Sequence, residues 1–181
     1  MLLVVYALAR APRDLLDDVL RDVLGTLPRI GRACPDCERP HGKPVLDHPT
    51  HHVSTSQSHG LAVVAVCDDG PVGVDVEHLD ATRFAGFEDV ALGPDEAAHD
   101  LRERAVLWTR KEAVLKATGE GLRTDPRTVA VGDPAIPASR EPCRGAQLVD
   151  VGVPLPWVCA AAVLCSSSVL LELRALGAAS P

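Results

Sequence analysis

Hydrophobic and polar positions divide the chain into a mixture of two periods. Residues 2 to 9 form an apolar run that predicts a first strand. Ala11-Pro12-Arg13-Asp14 then leads into a segment whose apolar residues Leu15, Leu16, Val19, Leu20, Val23 and Leu24 recur at i, i+3 and i+4, a helix stopped at Gly25. A loop rich in Pro, Gly, Cys and His is expected from Thr26 to about His52. Leu61 to Cys67 is a continuous apolar strand, Asp68-Asp69-Gly70-Pro71 a turn, and Val72 to Glu77 a second strand, so residues 61 to 77 read as a hairpin. Gly93-Pro94-Asp95-Glu96 has the signature of a helix start, with the helical pattern running to about Thr118 and ending at Gly119-Glu120-Gly121. Short strands are predicted at 129–131, 146–151, 158–164 and 169–173. Each half carries a helix followed by strands, which suggests an α+β chain divided into halves 1–72 and 73–181.

Two places break the apolar pattern with charge. At 100° per residue, Leu101, Ala105, Trp108 and Leu115 fall within one arc of the second helix, and Glu112 falls inside it. A carboxylate on an apolar face costs several kcal/mol unless it is neutralised or paired, so Lys116, one turn on, or a metal ion is expected beside it. In Val72-Gly-Val-Asp-Val-Glu77, a period of two puts the valines on one face and Asp75 and Glu77 together on the other, roughly 7 Å apart. Such a pair repels unless a cation bridges it. Asp75, Glu77 and Glu112 are therefore candidate ligands of a hard divalent cation such as Mg²⁺. The competing reading has Asp75 and Glu77 on a solvated strand face and Glu112 paired with Lys116 on a helix surface.

Composition narrows the classes. A net charge of −7 with no basic stripe argues against nucleic-acid binding. No apolar run reaches the length of a membrane span, and the first nine residues lack the basic start of a signal peptide, so a cytoplasmic protein is expected. The six cysteines then read as reduced thiols, with Cys159 and Cys165 as small core residues. Cys34-Pro-Asp-Cys37 with His41, His48, His51 and His52 leaves open a zinc site as the alternative to loop histidines and a thiol pair. Of the 18 basic residues only Lys43, Lys111 and Lys116 are lysines, positions that suit a compact ammonium. Ser54, Thr55 and Ser56 either cap a turn or offer hydroxyls to phosphate. P-loop, nucleophile-elbow and dinucleotide fingerprints are absent.

Gly42-Lys43-Pro44, Ser54-x-Ser56, Val72-Gly-Val-Asp-Val-Glu77, Trp108-Thr-x-Lys-Glu-Ala-Val-Leu-Lys116 and Gly119-x-Gly-Leu122 together resemble the signature of the Sfp-type 4′-phosphopantetheinyl transferases, over residues 40 to 165. The resemblance implies two similar α+β halves related by pseudo-twofold symmetry in a monomer, with coenzyme A in the cleft between them. It implies transfer of the phosphopantetheine arm to a serine of an acyl or peptidyl carrier protein in a polyketide, nonribosomal-peptide or fatty-acid pathway, with release of adenosine 3′,5′-bisphosphate. By that analogy Asp75, Glu77 and Glu112 hold Mg²⁺, Lys116 neutralises a phosphate oxygen, and Lys43, between Gly42 and Pro44, binds the 3′-phosphate. Ser54 and Thr55 lie at the nucleotide end. Glu112 is the expected proton acceptor, assisted by Lys111. Two departures stand out: the family's Ser-His-Ser corresponds to Ser54-Thr55-Ser56, and a single helix follows the first strand where relatives carry a longer basic segment, leaving Arg29 and Arg32 as substitutes. A non-catalytic binding protein of the same fold is the rival reading.

Overall fold

The computed structural model describes residues 1–33, 39, 42–135, 138–143, 145–165 and 170–176. In chain order the elements are β1 (Leu2–Leu8), α1 (Pro12–Leu24), β2 (Ile30–Ala33), β3 (Lys43–Leu46), β4 (His52–Ser58), β5 (Leu61–Cys67), β6 (Val72–His78), α2 (Phe87–Ala91), α3 (Leu101–Thr118), β7 (Ser139–Cys143), β8 (Ala146–Val151), β9 (Trp157–Leu164) and β10 (Leu171–Leu176). The fold is α+β. One four-stranded sheet has the order β10-β1-β5-β4, a second the order β6-β9-β8-β7, and β2 and β3 form a small ribbon. In each large sheet the strand that precedes the helix lies beside the last antiparallel strand that follows it, β1 beside β5 and β6 beside β9.

The layers follow from which faces are apolar. Leu2, Val4, Leu61, Val63 and Ala65 of the first sheet pack against Val72, Val74, Val76, Ala161 and Val163 of the second. The outer face of the first sheet, through Leu3, Val5, Ala62 and Val64, is covered by Leu15, Leu16, Val19 and Leu20 of α1. The outer face of the second, through Leu148, Ala160 and Ala162, is covered by Leu107, Val114 and Leu115 of α3. A strand covered on both faces has no polar side to alternate, which is why all seven residues of β5 are buried and apolar.

The hairpin expected over 61–77 does not form. β5 pairs with β1 and β4, whereas β6 pairs with β9 in the other sheet. At the turn, a Cβ on Gly70 would lie 2.1 Å from the Leu164 carbonyl oxygen, and the Pro71 carbonyl accepts the Leu164 N–H at 2.8 Å. That close approach hands the chain from one sheet to the other. β5 instead forms a tight hairpin with the strand before it, β4, turned by His59 and Gly60, both at positive φ (47° and 83°).

The second helix begins later than Gly93. Asp100 caps α3 by accepting the Glu103 N–H at 2.8 Å, and Glu103 in return accepts the His99 N–H at 2.6 Å. Glu96 is diverted from helix initiation because its carboxylate accepts the Gly93 N–H and pairs with Lys111. Residues 129–131 are not a strand, although Val129 and Val131 are buried under α3, and β7 lies where none was expected. β2 and β3 stand inside the stretch read as loop. β6 starts at Val72, and β10 leaves the C-terminal half to pair in parallel with β1. Cys67 and Cys159 are buried thiols outside any disulfide. No described helix is long and apolar enough to cross a membrane.

Gly73 sets the spacing between α3 and β6: a Cβ there would lie 2.0 Å from the Ala113 carbonyl oxygen and 2.4 Å from the Ala117 nitrogen. Backbone cannot yield as a side chain does. Gly73→Ala is expected to destabilise the protein by about 3 kcal/mol or more, read as a lowered urea midpoint, while alanine at the open Gly119 position is limited by its positive φ alone.

Candidate functional site

The site sits where two sheet edges meet. β4 ends the first sheet and β6 ends the second, so the backbone N–H groups of Val74, Val76 and His78 face away from β9 and need other acceptors. Two of them find one across the seam: Ser54 Oγ accepts from Val74 N at 3.0 Å, and Ser58 Oγ accepts from His78 N at 3.1 Å. Along β4 the serines at 54, 56 and 58 share the face opposite Val53, as period two requires.

The carboxylates of β6 lie on its other face, beneath α3. Asp75 is buried at 4% exposure, and its Oδ1 accepts from Ser56 Oγ at 2.7 Å and Lys116 Nζ at 2.6 Å. Lys116 also donates to Ser56 Oγ and the Val74 carbonyl, each at 3.2 Å. Glu77 accepts from Ser58 Oγ at 2.8 Å. Lys116 thus pairs with Asp75 rather than with Glu112. Burial pushes the Glu112 carboxyl above its ordinary range; the charges of Asp75 and Glu77 add to that shift and Lys116 opposes it. Burial likewise raises Asp75 against the pull of Lys116 and Ser56, and raises Glu77 with Asp75 adding to it.

Asp75 Oδ2 and Glu112 Oε1 are both buried without a hydrogen-bond partner among the described residues. Orphaned anionic oxygens beside mutually repelling carboxylates are the donor set of a hard divalent cation, so the residues fit Mg²⁺ in kind. Their ligand atoms are not drawn together as a closed cage: among the described residues only Cys67, Asp68 and Asp69 place three such atoms within 4.8 Å of one another, and there Asp68 and Asp69 hold the Met1 amine.

Of the α3 strip read as the apolar face, Ala105 and Leu115 are fully buried, whereas Leu101, Trp108 and Glu112 are half-buried, as is Lys116 a turn beyond Glu112; Arg110, Lys111 and Val114, off that strip, are fully buried as well. The segments on either side of α3 wrap its far side, which a single-stripe reading does not anticipate. Lys111 is 0% exposed and bonds Glu96 at 2.5 Å and the Pro126 carbonyl at 3.0 Å. Its ammonium anchors those loops and does not assist Glu112. Arg110, passed over in the sequence, grips Asp150 through two parallel bonds at 2.9 and 2.7 Å and the Asp133 carbonyl at 2.9 Å, a fork-to-carboxylate match.

Ser54 is 3% exposed, and its hydroxyl accepts the Val74 N–H, clasping the two sheets. Thr55 falls on the α1 side of β4, away from the carboxylates. The Ser-x-Ser pair that meets them is Ser56-Gln57-Ser58, one register beyond the expected one. Its sequence signal was the matching period-two spacing of Asp75 and Glu77. Lys43 donates to the Ala117 carbonyl at 2.7 Å, and burial lowers its pKa to about 8. It lines a cavity of about 350 Å³ with Pro44, His48, His51, His52 and Thr118. Gly42, at φ 95°, offers its carbonyl to Arg32 at 2.9 Å. Cys34, Cys37 and His41 of the zinc alternative lie outside the described residues.

Comparison with known proteins bears on this geometry directly. Residues 71–148 match the 4′-phosphopantetheinyl transferase superfamily. That superfamily segment holds Asp75, Glu77, Glu112 and Lys116 but neither Lys43 nor the serines of β4. The 4′-phosphopantetheinyl transferase psf-1 of Bacillus pumilus is 37% identical over 95 residues, which cover 45% of this chain and 38% of that relative. The chain therefore matches under two fifths of the relative's length. The resemblance to 4′-phosphopantetheinyl transferases read from the sequence is borne out in the part of the chain that carries the carboxylates.

Two outcomes test the electrostatics. Because the folded state holds Asp75, Glu77 and Glu112 above their unfolded pKa values, their contribution is full at acid pH and is lost as pH rises through the folded values. Without divalent ions, Glu112→Gln is therefore expected to raise the melting temperature by a few degrees at pH 7 and to do little near pH 4, measured by calorimetry in EDTA. Lys111→Met strands the Glu96 carboxylate and is expected to cost roughly 3 kcal/mol in denaturant unfolding.

Proposed function

We propose that the protein transfers the 4′-phosphopantetheine arm of coenzyme A to a serine of an acyl or peptidyl carrier protein, in a magnesium-dependent reaction that releases adenosine 3′,5′-bisphosphate. The observation that carries this reading is the pair of buried, unpartnered oxygens of Asp75 and Glu112 beside Glu77 and Lys116. Asp75, Glu77 and Glu112 would hold the ion. A magnesium ion bound there supplies positive charge to the diphosphate oxygens.

The remaining chemistry belongs to the side chains. Lys116, anchored by Ser56 and the Val74 carbonyl, keeps its ammonium at the seam, where it offsets charge on the phosphoryl oxygens as the diphosphate link breaks and the bond to the leaving 5′-phosphate of adenosine 3′,5′-bisphosphate lengthens. Glu112 sits on the half-exposed strip with a raised pKa and takes the proton of the attacking serine hydroxyl. Lys43 lines its cavity with a lowered pKa, which an approaching 3′-phosphate raises again, so the two charges favour each other. Lys111 has no part in this reading. Gln57 takes the place of the histidine in the family's Ser-His-Ser, exchanging a titratable phosphate contact for a neutral amide.

The same reading carries the finer expectations: pseudo-twofold halves in a monomer, a cytoplasmic setting, and a polyketide, nonribosomal-peptide or fatty-acid pathway. The carrier protein is acidic and so is this chain, which puts docking on a local basic or apolar patch. The rival, a non-catalytic binding protein of this fold, draws support from the hold that Lys116 and Ser56 already have on Asp75 and from Gln57.

Intact-mass analysis of apo carrier proteins incubated with coenzyme A and Mg²⁺ decides between them. Addition of the phosphopantetheine mass is expected, and failure across several carriers would support the rival. Glu112→Gln and Asp75→Asn are expected to reduce transfer by about a hundredfold or more with the fold retained.

A further inference from the structure

Ser58 closes β4 at 7% exposure, and its bonding is fully determined. A hydroxyl has one hydrogen to give and two lone pairs to receive. His78 N–H donates to Ser58 Oγ at 3.1 Å, filling one lone pair. His59 Nδ1 lies 3.2 Å away, and Glu77 Oε2 lies 2.8 Å away. Ionised Glu77 is acceptor-only, so the hydroxyl hydrogen goes to Glu77 and the His59 ring, in its Nδ1–H tautomer, fills the second lone pair.

The backbone of Ser58 is held as firmly. Trp157 Nε1 donates to the Ser58 carbonyl at 2.8 Å. The Trp157 ring meets His78 edge-on at 5.4 Å, and His78 stacks on His59 at 4.4 Å. His59 is itself the first residue of the tight turn into β5. Turn, stacked rings and indole thus fix a single hydroxyl donor opposite Glu77. Asp75 repels Glu77, and the glutamate side chain has torsional freedom to swing outward. The Ser58 hydroxyl is the donor that opposes that swing.

We propose that Ser58 is a positioning residue: from the first sheet it fixes the Glu77 carboxylate of the second in the orientation that binds a divalent cation, with Trp157 fixing Ser58 in turn. This rests on the proposed carboxylate site, and it assigns the cation affinity of that site to a residue outside the segment shared with the superfamily.

The test uses Mn²⁺ as probe, with free ion counted by electron paramagnetic resonance in solutions of the 181-residue chain. Ser58→Ala is expected to weaken Mn²⁺ binding by about tenfold and to raise the Mg²⁺ concentration needed for half-maximal transfer, leaving kcat at saturating Mg²⁺ within about twofold. Ser58→Thr, which keeps the hydroxyl, restores affinity. Trp157→Phe keeps the ring and loses the N–H, and gives a smaller loss in the same direction. Mn²⁺ affinity unchanged in Ser58→Ala while Asp75→Asn abolishes binding overturns the role of Ser58 alone. Affinity unchanged in Asp75→Asn, or no binding by the unaltered protein, overturns the carboxylate site and the role of Ser58 with it. A fall in kcat at saturating Mg²⁺ that Ser58→Thr does not rescue also overturns it, since that is loss of structure rather than of orientation.

Discussion

Everything in the centre of this protein depends on how the exposed backbone of β6 is satisfied. An edge strand has a row of donors without a ladder partner, and in a buried seam each unmet donor costs about 1–3 kcal/mol. Here the partners are hydroxyls. Ser54 and Ser58 reach across from β4 to the Val74 and His78 N–H groups. The seam is polar because its backbone requires it, and the same hydroxyls then orient the acids. Structural satisfaction and site geometry are one arrangement.

That arrangement concentrates negative charge in a place poor in water. Among the described residues Lys116 is the one cation that comes within bonding distance of these carboxylates, and Asp75 is the one that receives its ammonium. The remaining tension appears as raised pKa values at Glu77 and Glu112 and as unpartnered oxygens. Buried cations elsewhere on α3 show what full compensation looks like: Arg110 has Asp150 and backbone carbonyls, and Lys111 has Glu96 and a carbonyl. The contrast within a single helix separates ion pairs that fasten it from a charge cluster left open to a ligand.

Much of this was legible in the sequence, for reasons that can be named. β5, α1 and β9 were visible because burial on one or both faces imposes a period that local composition records. Asp75, Glu77 and Glu112 stood out because charge interrupts such a period. The β5–β6 hairpin was misread because a short turn between apolar runs looks alike whether the chain folds back on its own sheet or crosses to another; the difference lies in a contact between Gly70 and Leu164, nearly a hundred residues apart. Lys111 was misjudged because a lysine next to a glutamate in sequence points a third of a turn away from it on a helix. The serines were read one register early, since Ser54, Ser56 and Ser58 are locally equivalent and only the partner strand tells them apart.

The parallel pairing of β10 with β1 ties residues 171–176 to residues 2–7. β1 is synthesised well ahead of β10, and its outer edge stays open until β10 has been made. An apolar edge left unpaired for that interval invites association with other chains. Closure of the first sheet therefore waits on a strand far along the chain, a delay imposed by sequence separation alone.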